Sequence, residues 1–328
     1  MYRFRFHHVF DSNPILRAEL AHQQGQIDAY RRRQLIRLLY AVLLIFSLAA
    51  VLITITDFRV DNLLALFFDN TTYARWTLTA IVLNAIIAVH IATVFRTLVF
   101  GTNAIVREKR SRTWETLLLT NVDARQLVIG KWWATVRRVW ASYLWLVPLR
   151  IGAVVWLGAQ MNLVLIGLGS PVTISPPPVD ISNLLVAVLL ITALTLVNAL
   201  FTAAYGVLGS LLNRVDTIGP AMATFTRMLT LVGMAVLLVI VGFTLFFNAG
   251  GTQEADTIPL LLALIGLTFI DNGSLAAAAL LSPLDPNNYL YLLALLVALV
   301  AYGLITILVL RLAQAVAVWQ RVLPPDGP

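Results

Sequence analysis

Long apolar stretches without charge most limit how this chain can fold. A run of about 18 apolar residues is long enough to cross a bilayer as a helix. Six such segments are predicted, and only the third contains a charge, at Arg150; they lie at about 38–56, 76–95, 139–158, 184–212, 228–247 and 289–310. Only 12% of the 328 residues are charged, against about a quarter in soluble domains. The sequence therefore predicts an all-α integral membrane protein with six transmembrane helices and excludes a soluble globular enzyme.

The distribution of Lys and Arg gives an orientation, because basic residues that flank spans stay in the cytoplasm. With six spans, 20 basic residues fall on one side and 2, Arg59 and Arg75, on the other. We therefore expect the 96–138 loop and both termini in the cytoplasm, the transmembrane domain over 38–318 and a short cytoplasmic tail over 319–328. Arg makes up 21 of the 23 basic residues, which is typical of GC-rich coding sequences. The lack of targeting elements fits a multi-pass protein of a bacterial plasma (inner) membrane.

The N-terminal segment, residues 1–37, contains a helix-start signal at Asn13-Pro14, in which Asn caps and Pro lies in the first turn. Leu16, Leu20 and Ile27 then fall near one face, while basic and polar residues occupy the rest. This pattern favours an elbow helix lying in the membrane interface. A solvated cytoplasmic leader is the alternative.

The 96–138 loop is the longest predicted cytoplasmic link, and loops of this length usually have a function. Thr113 can cap a short helix over 113–120. Asp123, three residues before Gln126, has the spacing of a capping box that starts the next helix. The sequence therefore predicts a short amphipathic helix between two long ones.

One face of the 113–120 helix is apolar and is surrounded by basic residues. Trp114, Leu117 and Leu118 share this face, and Glu115 lies favourably in the first turn. Two interpretations stay open. The face can rest on anionic lipid, or it can dock in a groove of a cytoplasmic partner.

Residues 257–284 contain two apolar runs that flank Asp271, Asn272 and Gly273. Each run is too short to span a bilayer alone. A single seventh span would bury Asp271 and place Arg311 outside. The pattern therefore favours a re-entrant or interfacial helical pair on the outer face, before the sixth span.

Polar side chains within the spans mark a possible translocation path, formed by Asn84, His90, Arg150 and Asn198. A charge such as Arg150 at the centre of a span costs roughly 2.5–3.5 kcal/mol, so its side chain should face a cavity or a partner. The alternatives are an Arg that snorkels outward and a His hydrogen-bonded to a neighbouring helix. None of the six spans contains Asp or Glu, which argues against a proton- or sodium-coupled carrier.

Several enzyme classes lack their required residues. The chain has no Cys, which excludes thiol chemistry. A P-loop needs the pattern G-x-x-x-x-G-K-[ST], but Gly130-Lys131 is followed by Trp132, and Arg125 stands at the first Gly position. Neither an H-E-x-x-H sequence nor a pair of carboxylates at catalytic spacing occurs. We therefore expect no catalytic, metal or cofactor site in this chain.

The predicted cytoplasmic loop contains a motif of three short parts. It consists of Glu108, then Thr113-Trp114-Glu115-Thr116-Leu117-Leu118, then Gly130-Lys131. This run resembles the cytoplasmic motif of ABC-2-type transporter permeases, although Arg112 stands where that family usually has Gly. The start at Asn13-Pro14 is also similar to the elbow helix of that family.

The resemblance implies a permease subunit of an ATP-driven exporter that works as a homo- or heterodimer with a second permease subunit. ATP would be bound and hydrolysed on a separate ATPase subunit. The ATPase-coupling surface implied by the family comprises Glu108, Thr113, Trp114, Glu115, Leu117 and Leu118. The alternative function is that of a non-transporting membrane scaffold or assembly protein, which recruits a cytoplasmic partner. Neither interpretation involves nucleic acid, and the substrate stays open.

Overall fold

The structure is a computed structural model that describes residues 41, 44–45, 71–110, 123–169, 181–212, 218–248, 257–281 and 288–322. From residue 71 onward the described residues form seven helices and no strand. They are α1 (Thr71–Arg110), α2 (Ala124–Gly169), α3 (Ile181–Leu212), α4 (Gly219–Asn248), α5 (Thr257–Phe269), α6 (Gly273–Leu281) and α7 (Asn288–Val322). The prediction of an all-helical chain is confirmed for these residues. The elbow helix, the 113–120 helix and nearly all of the first predicted span lie outside the described residues.

Four of the described helices are long and apolar enough to cross a membrane. The candidate spans are Leu83–Glu108, Ser182–Leu212, Gly219–Leu245 and Tyr289–Trp319, in α1, α3, α4 and α7. They overlap the second, fourth, fifth and sixth predicted spans. Helix α2 contains the third predicted span and continues through Pro148 without a break, but it is not among the four. The described part of the chain therefore has the helices of a membrane protein.

The long helices extend beyond the predicted spans. Helix α1 continues to Arg110 and α2 begins at Ala124, so only residues 111–123 separate them within the predicted 96–138 loop. The predicted helix start at Asp123 is confirmed: its Oδ1 accepts the N–H of Arg125 at 3.2 Å, and its carbonyl accepts the N–H of Leu127 at 3.0 Å. A charged residue ends an apolar run, but it does not interrupt the backbone hydrogen bonds of a helix.

Helix α3 is the central element of the bundle and packs against α1, α2, α4, α6 and α7. Half of its apolar stretch is buried, against 17% for α4. Close packing depends on small residues. A Cβ at Gly101 of α1 would lie only 2.8 Å from the Cα of Gly206 in α3, and a Cβ at Gly209 would lie 2.6 Å from the Cβ of Ala223 in α4.

Helices α5 and α6 form a hairpin whose turn is Ile270–Asn272. Helix α5 packs antiparallel to α4, as shown by the close approach of Gly242 to Pro259 and of Gly266 to Ala235. In the turn, Asn272 has a φ of 76°, a left-handed conformation that Asn tolerates better than most residues.

Gly273 follows the turn and begins α6. A Cβ at this position would overlap the carbonyl oxygen of Leu267. The side chains of α6 are mostly buried, against α2, α3 and α7. The hairpin therefore enters the helical bundle rather than lying across its end.

Candidate functional site

Polar side chains from four long helices meet at the turn of the α5–α6 hairpin. We refer to them as the central polar cluster, which comprises His90 of α1, Arg150 of α2, Asn198 of α3, Arg227 of α4, and Asp271, Asn272 and Ser274 of the hairpin. All of these except Arg227 line a small cavity, together with Leu194, Thr268, Ile270 and Tyr302. The cavity has room for about one water molecule. The site is therefore a buried polar pocket near the middle of otherwise apolar helices.

Arg227 is 2% exposed and forms an ion pair with Asp271. Its Nη1 donates to Oδ2 of Asp271 at 2.7 Å and its Nη2 to Oδ1 at 2.6 Å. Two parallel charge-assisted hydrogen bonds are the strongest arrangement open to this pair. Nη2 also donates to Oδ1 of Asn198 at 3.3 Å. Arg227 therefore fastens the hairpin turn to both α4 and α3.

His90 connects α1 to the same turn and is 1% exposed. Its Nε2 lies 3.0 Å from Nδ2 of Asn198, and its Nδ1 lies 2.5 Å from Oδ1 of Asn272. An amide nitrogen can only donate, so Nε2 must accept and the proton belongs on Nδ1, from which it is donated to Asn272. This assignment makes the imidazole neutral.

Arg150 is also 2% exposed, but its partners are neutral. Its Nη1 donates to Oγ1 of Thr195 at 3.0 Å and its Nη2 to Oγ of Ser274 at 2.9 Å. Its Nε has no hydrogen-bond acceptor, and no carboxylate among the described residues forms an ion pair with it. Arg150 therefore does not snorkel outward and keeps its charge inside the bundle.

The structure places three of the four predicted path residues at one cavity and the fourth elsewhere. His90, Arg150 and Asn198 line one cavity, whereas Asn84 is exposed and lies apart from its wall. The hydrogen bonds of His90 are those of the structural alternative, a His bonded to a neighbouring helix.

Sequence reasoning missed Arg227, Asp271, Asn272 and Ser274 as members of this site. Arg227 falls just before the fifth predicted span, 228–247, among the 20 basic residues assigned to the cytoplasmic side, because its charge ends an apolar run. The predicted pair over 257–284 places Asp271 on the outer face. The six predicted spans contain no acidic residue, but the bundle does contain one in its interior, because the hairpin places Asp271 there. One sequence signal could have found the pair: Arg227 and Asp271 are isolated charges beside or within apolar segments, and charged residues in such segments tend to pair with each other.

A second site joins the cytoplasmic ends of α1 and α2 in the predicted orientation. Glu108, near the end of α1, forms an ion pair with Lys131, in the first turns of α2. Their side chains are 14% and 1% exposed. The pair brackets residues 111–122, and Thr113, Trp114, Glu115, Leu117 and Leu118 all lie outside the described residues. The two ends of the segment that carries the motif are therefore held together.

In the part of the chain that the structure describes, no group of three or more His, Asp or Glu residues could hold a metal ion. The arrangement of the central polar cluster suits the binding of a small polar or charged group and gives no nucleophile paired with a base. No protein-family model matches the chain, and neither a curated protein nor a solved structure matches it.

Proposed function

We propose that the chain is the membrane-spanning subunit of an ATP-driven exporter of the ABC-2 type, coupled to a separate ATPase through the predicted 113–120 helix. The observation that carries the proposal is the ion pair between Glu108 and Lys131. Both residues belong to the motif that resembles the ABC-2 permeases, and they lie 23 positions apart in the chain. A coupling segment has to be anchored to the helices that it moves, and this pair supplies such an anchor.

The two anchored helices lead directly to the central polar cluster. At a rise of about 1.5 Å per residue, Glu108 lies about 27 Å from His90 along α1, and Lys131 lies about 28 Å from Arg150 along α2. Neither helix is broken over that distance. ATP-driven movement of residues 111–122 would therefore reach both sides of the cavity through two continuous helical segments of nearly equal length.

The membrane arrangement belongs to the same proposal. The protein has six spans in a bacterial plasma membrane, both termini are cytoplasmic, and the α5–α6 hairpin is re-entrant from the outer face. Helices α5 and α6 have 13 and 9 residues, and each is too short to cross a bilayer. Asn272 contacts His90, halfway along α1, and Asp271 contacts Arg227, about two turns into α4. These contacts support a re-entrant hairpin over an interfacial one. A second permease subunit would complete the translocation path, and ATP would be bound by the partner ATPase.

A pull-down from the native membrane tests the proposal. The tagged protein is extracted in mild detergent and the co-purifying proteins are identified by mass spectrometry. We expect a Walker-motif ATPase to accompany the wild-type chain and to be lost, by at least about tenfold, in Leu117→Asp, because a charge in an apolar docking face is costly to desolvate. Gln126→Asp is the matched control, since it adds the same charge at an exposed position nine residues away and should retain the ATPase.

Two results would contradict the proposal. One is equal recovery of an ATPase with Leu117→Asp and wild type, which would remove the coupling role of the 113–120 helix. The other is recovery of membrane proteins without any ATPase, which would favour the scaffold. Membrane insertion of the variant is checked by its yield in the membrane fraction, so that loss of binding is distinguished from loss of the protein.

A further inference from the structure

The central cavity has an excess of positive charge. Arg150 and Arg227 contribute two cations, while Asp271 is the one carboxylate among the cluster residues. Both oxygens of Asp271 accept hydrogen bonds from Arg227, and the hydrogen-bond pattern of His90 requires a neutral ring. The cluster therefore carries one positive charge in excess, and Arg150, at 2% exposure, is the arginine whose hydrogen-bond partners are all neutral.

A buried cation without a counter-charge carries a large desolvation penalty. The hydroxyl groups of Thr195 and Ser274 accept hydrogen bonds from the two terminal nitrogens of Arg150, but they bring no negative charge. The Nε–H of the same guanidinium has no acceptor. Arg150 thus offers both an unused donor and an unbalanced charge beside the cavity.

The start of α6 adds a second source of positive potential. The N-terminus of a helix attracts anions through its dipole and its first N–H groups. Helix α6 begins at Gly273, and Ser274 in its first turn lines the cavity. Two of the N–H groups are engaged within the turn, from Gly273 to the Ile270 carbonyl and from Leu275 to the Asn272 carbonyl. The helix end therefore contributes mainly through its dipole.

We propose that this cavity binds a small monovalent anion, held by Arg150 and Ser274 at the N-terminus of α6. Its size, with room for about one water molecule, is closest to that of a halide ion or the carboxylate of formate. Gluconate should bind weakly, because its hydroxylated chain would lose its hydration beside the apolar helices. The wall is not sealed, since Asp271 is 24% exposed. The same chemistry can come from a free ion or from the head group of an amphiphilic carboxylate. The proposal rests on the cavity alone and does not depend on ATP-driven transport.

Thermal unfolding of the purified full chain in detergent tests the anion site. At constant ionic strength, sodium gluconate is replaced stepwise by sodium chloride or sodium formate. We expect Tm to rise by about 3 °C when the anion reaches ten times its dissociation constant. Ser274→Ala and Arg150→Gln should lose most of this shift. Arg311→Gln, which removes an exposed Arg of α7, should keep it.

The source of the anion is decided by adding sodium decanoate below its micelle concentration. A decanoate shift that Ser274→Ala abolishes would assign the site to a carboxylate head group, and a shift with chloride and formate alone would assign it to free ions. An equal shift in Ser274→Ala and wild type would overturn the proposal, as would no shift with any of the anions.

Direct detection does not depend on the stability of the Arg150 variant. Crystals of the wild-type protein grown in sodium bromide should show anomalous scattering from bromide in the central cavity, in contact with both Arg150 and Ser274. Density at saturating bromide that fits water only would overturn the proposal.

Discussion

The two buried arginines of this bundle lie in different surroundings, although both are 2% exposed. Arg227 shares two short hydrogen bonds with the carboxylate of Asp271, whereas Arg150 reaches only the hydroxyl groups of Thr195 and Ser274. The first charge is balanced within the chain and the second is not. A balanced buried charge holds elements together, whereas an unbalanced one is available to a ligand.

The roles that follow for the two residues differ accordingly. Arg227 connects α4 to the hairpin turn and, through Asn198, to α3, so that its removal should affect stability first. Arg150 lines the cavity and has only neutral hydrogen-bond partners, so that its removal should affect ligand response first. Two substitutions at the arginines test this distinction, and a third tests the turn that carries Asp271. Each is measured as the change in unfolding free energy of the purified protein in detergent with gluconate as the anion.

The largest effect is expected for Arg227→Met, which leaves the carboxylate of Asp271 without its partner. Breaking a buried pair from one side costs about 3 kcal/mol or more, because the remaining charge is desolvated without compensation. The double variant Arg227→Met/Asp271→Leu should recover most of this loss, since removal of both charges also removes the desolvation penalty. Additive losses in the double variant would show that the pair does not act as a unit.

An intermediate effect is expected for Asn272→Ala at the turn that carries Asp271. The substitution removes the hydrogen bond to His90 and places Ala at a φ of 76°. Together these changes should cost about 2 kcal/mol, roughly half from each source. Asn272→Gly is the matched control, because Gly accepts the left-handed backbone and loses only the hydrogen bond. Equal losses in the two variants would contradict a contribution from backbone conformation.

The smallest effect is expected for Arg150→Met, which should change the unfolding free energy by less than about 1 kcal/mol in gluconate. The hydroxyl of Thr195 retains its hydrogen bond to the Ile191 carbonyl at 2.6 Å, and Met fills much of the volume that Arg150 occupied. The same variant should lose the Tm response to chloride. A loss of stability as large as that of Arg227→Met would remove the difference between the two arginines.

Part of the candidate site could be predicted from sequence. Polar residues within apolar runs are few, and this criterion alone found His90, Arg150 and Asn198. The same criterion also selected Asn84, which is exposed, because hydropathy along the chain does not tell which way a side chain faces when the whole helix is apolar. The coupling surface at 113–120 stays a prediction.

The sequence by itself determined where the long apolar helices of the described residues form and where α2 begins. Uncharged runs in α3, α4 and α7 require a helix that crosses or is buried in an apolar medium, and Asp123 marks the start of α2 because capping acts over only a few residues. These features depend on neighbours in the chain, so that local pattern is sufficient to predict them.

Only the tertiary structure decided that Arg227 lies inside a helix and that the α5–α6 hairpin enters the bundle. Hydropathy treats a charged residue as if it were alone, and on that basis Arg227 ended a span and Asp271 stayed outside. The desolvation penalty of each is offset by the other, 44 positions away in the chain, and His90 meets Asn272 across 182 positions. Compensation between residues so distant depends on the packing of the helices, and no local pattern contains it.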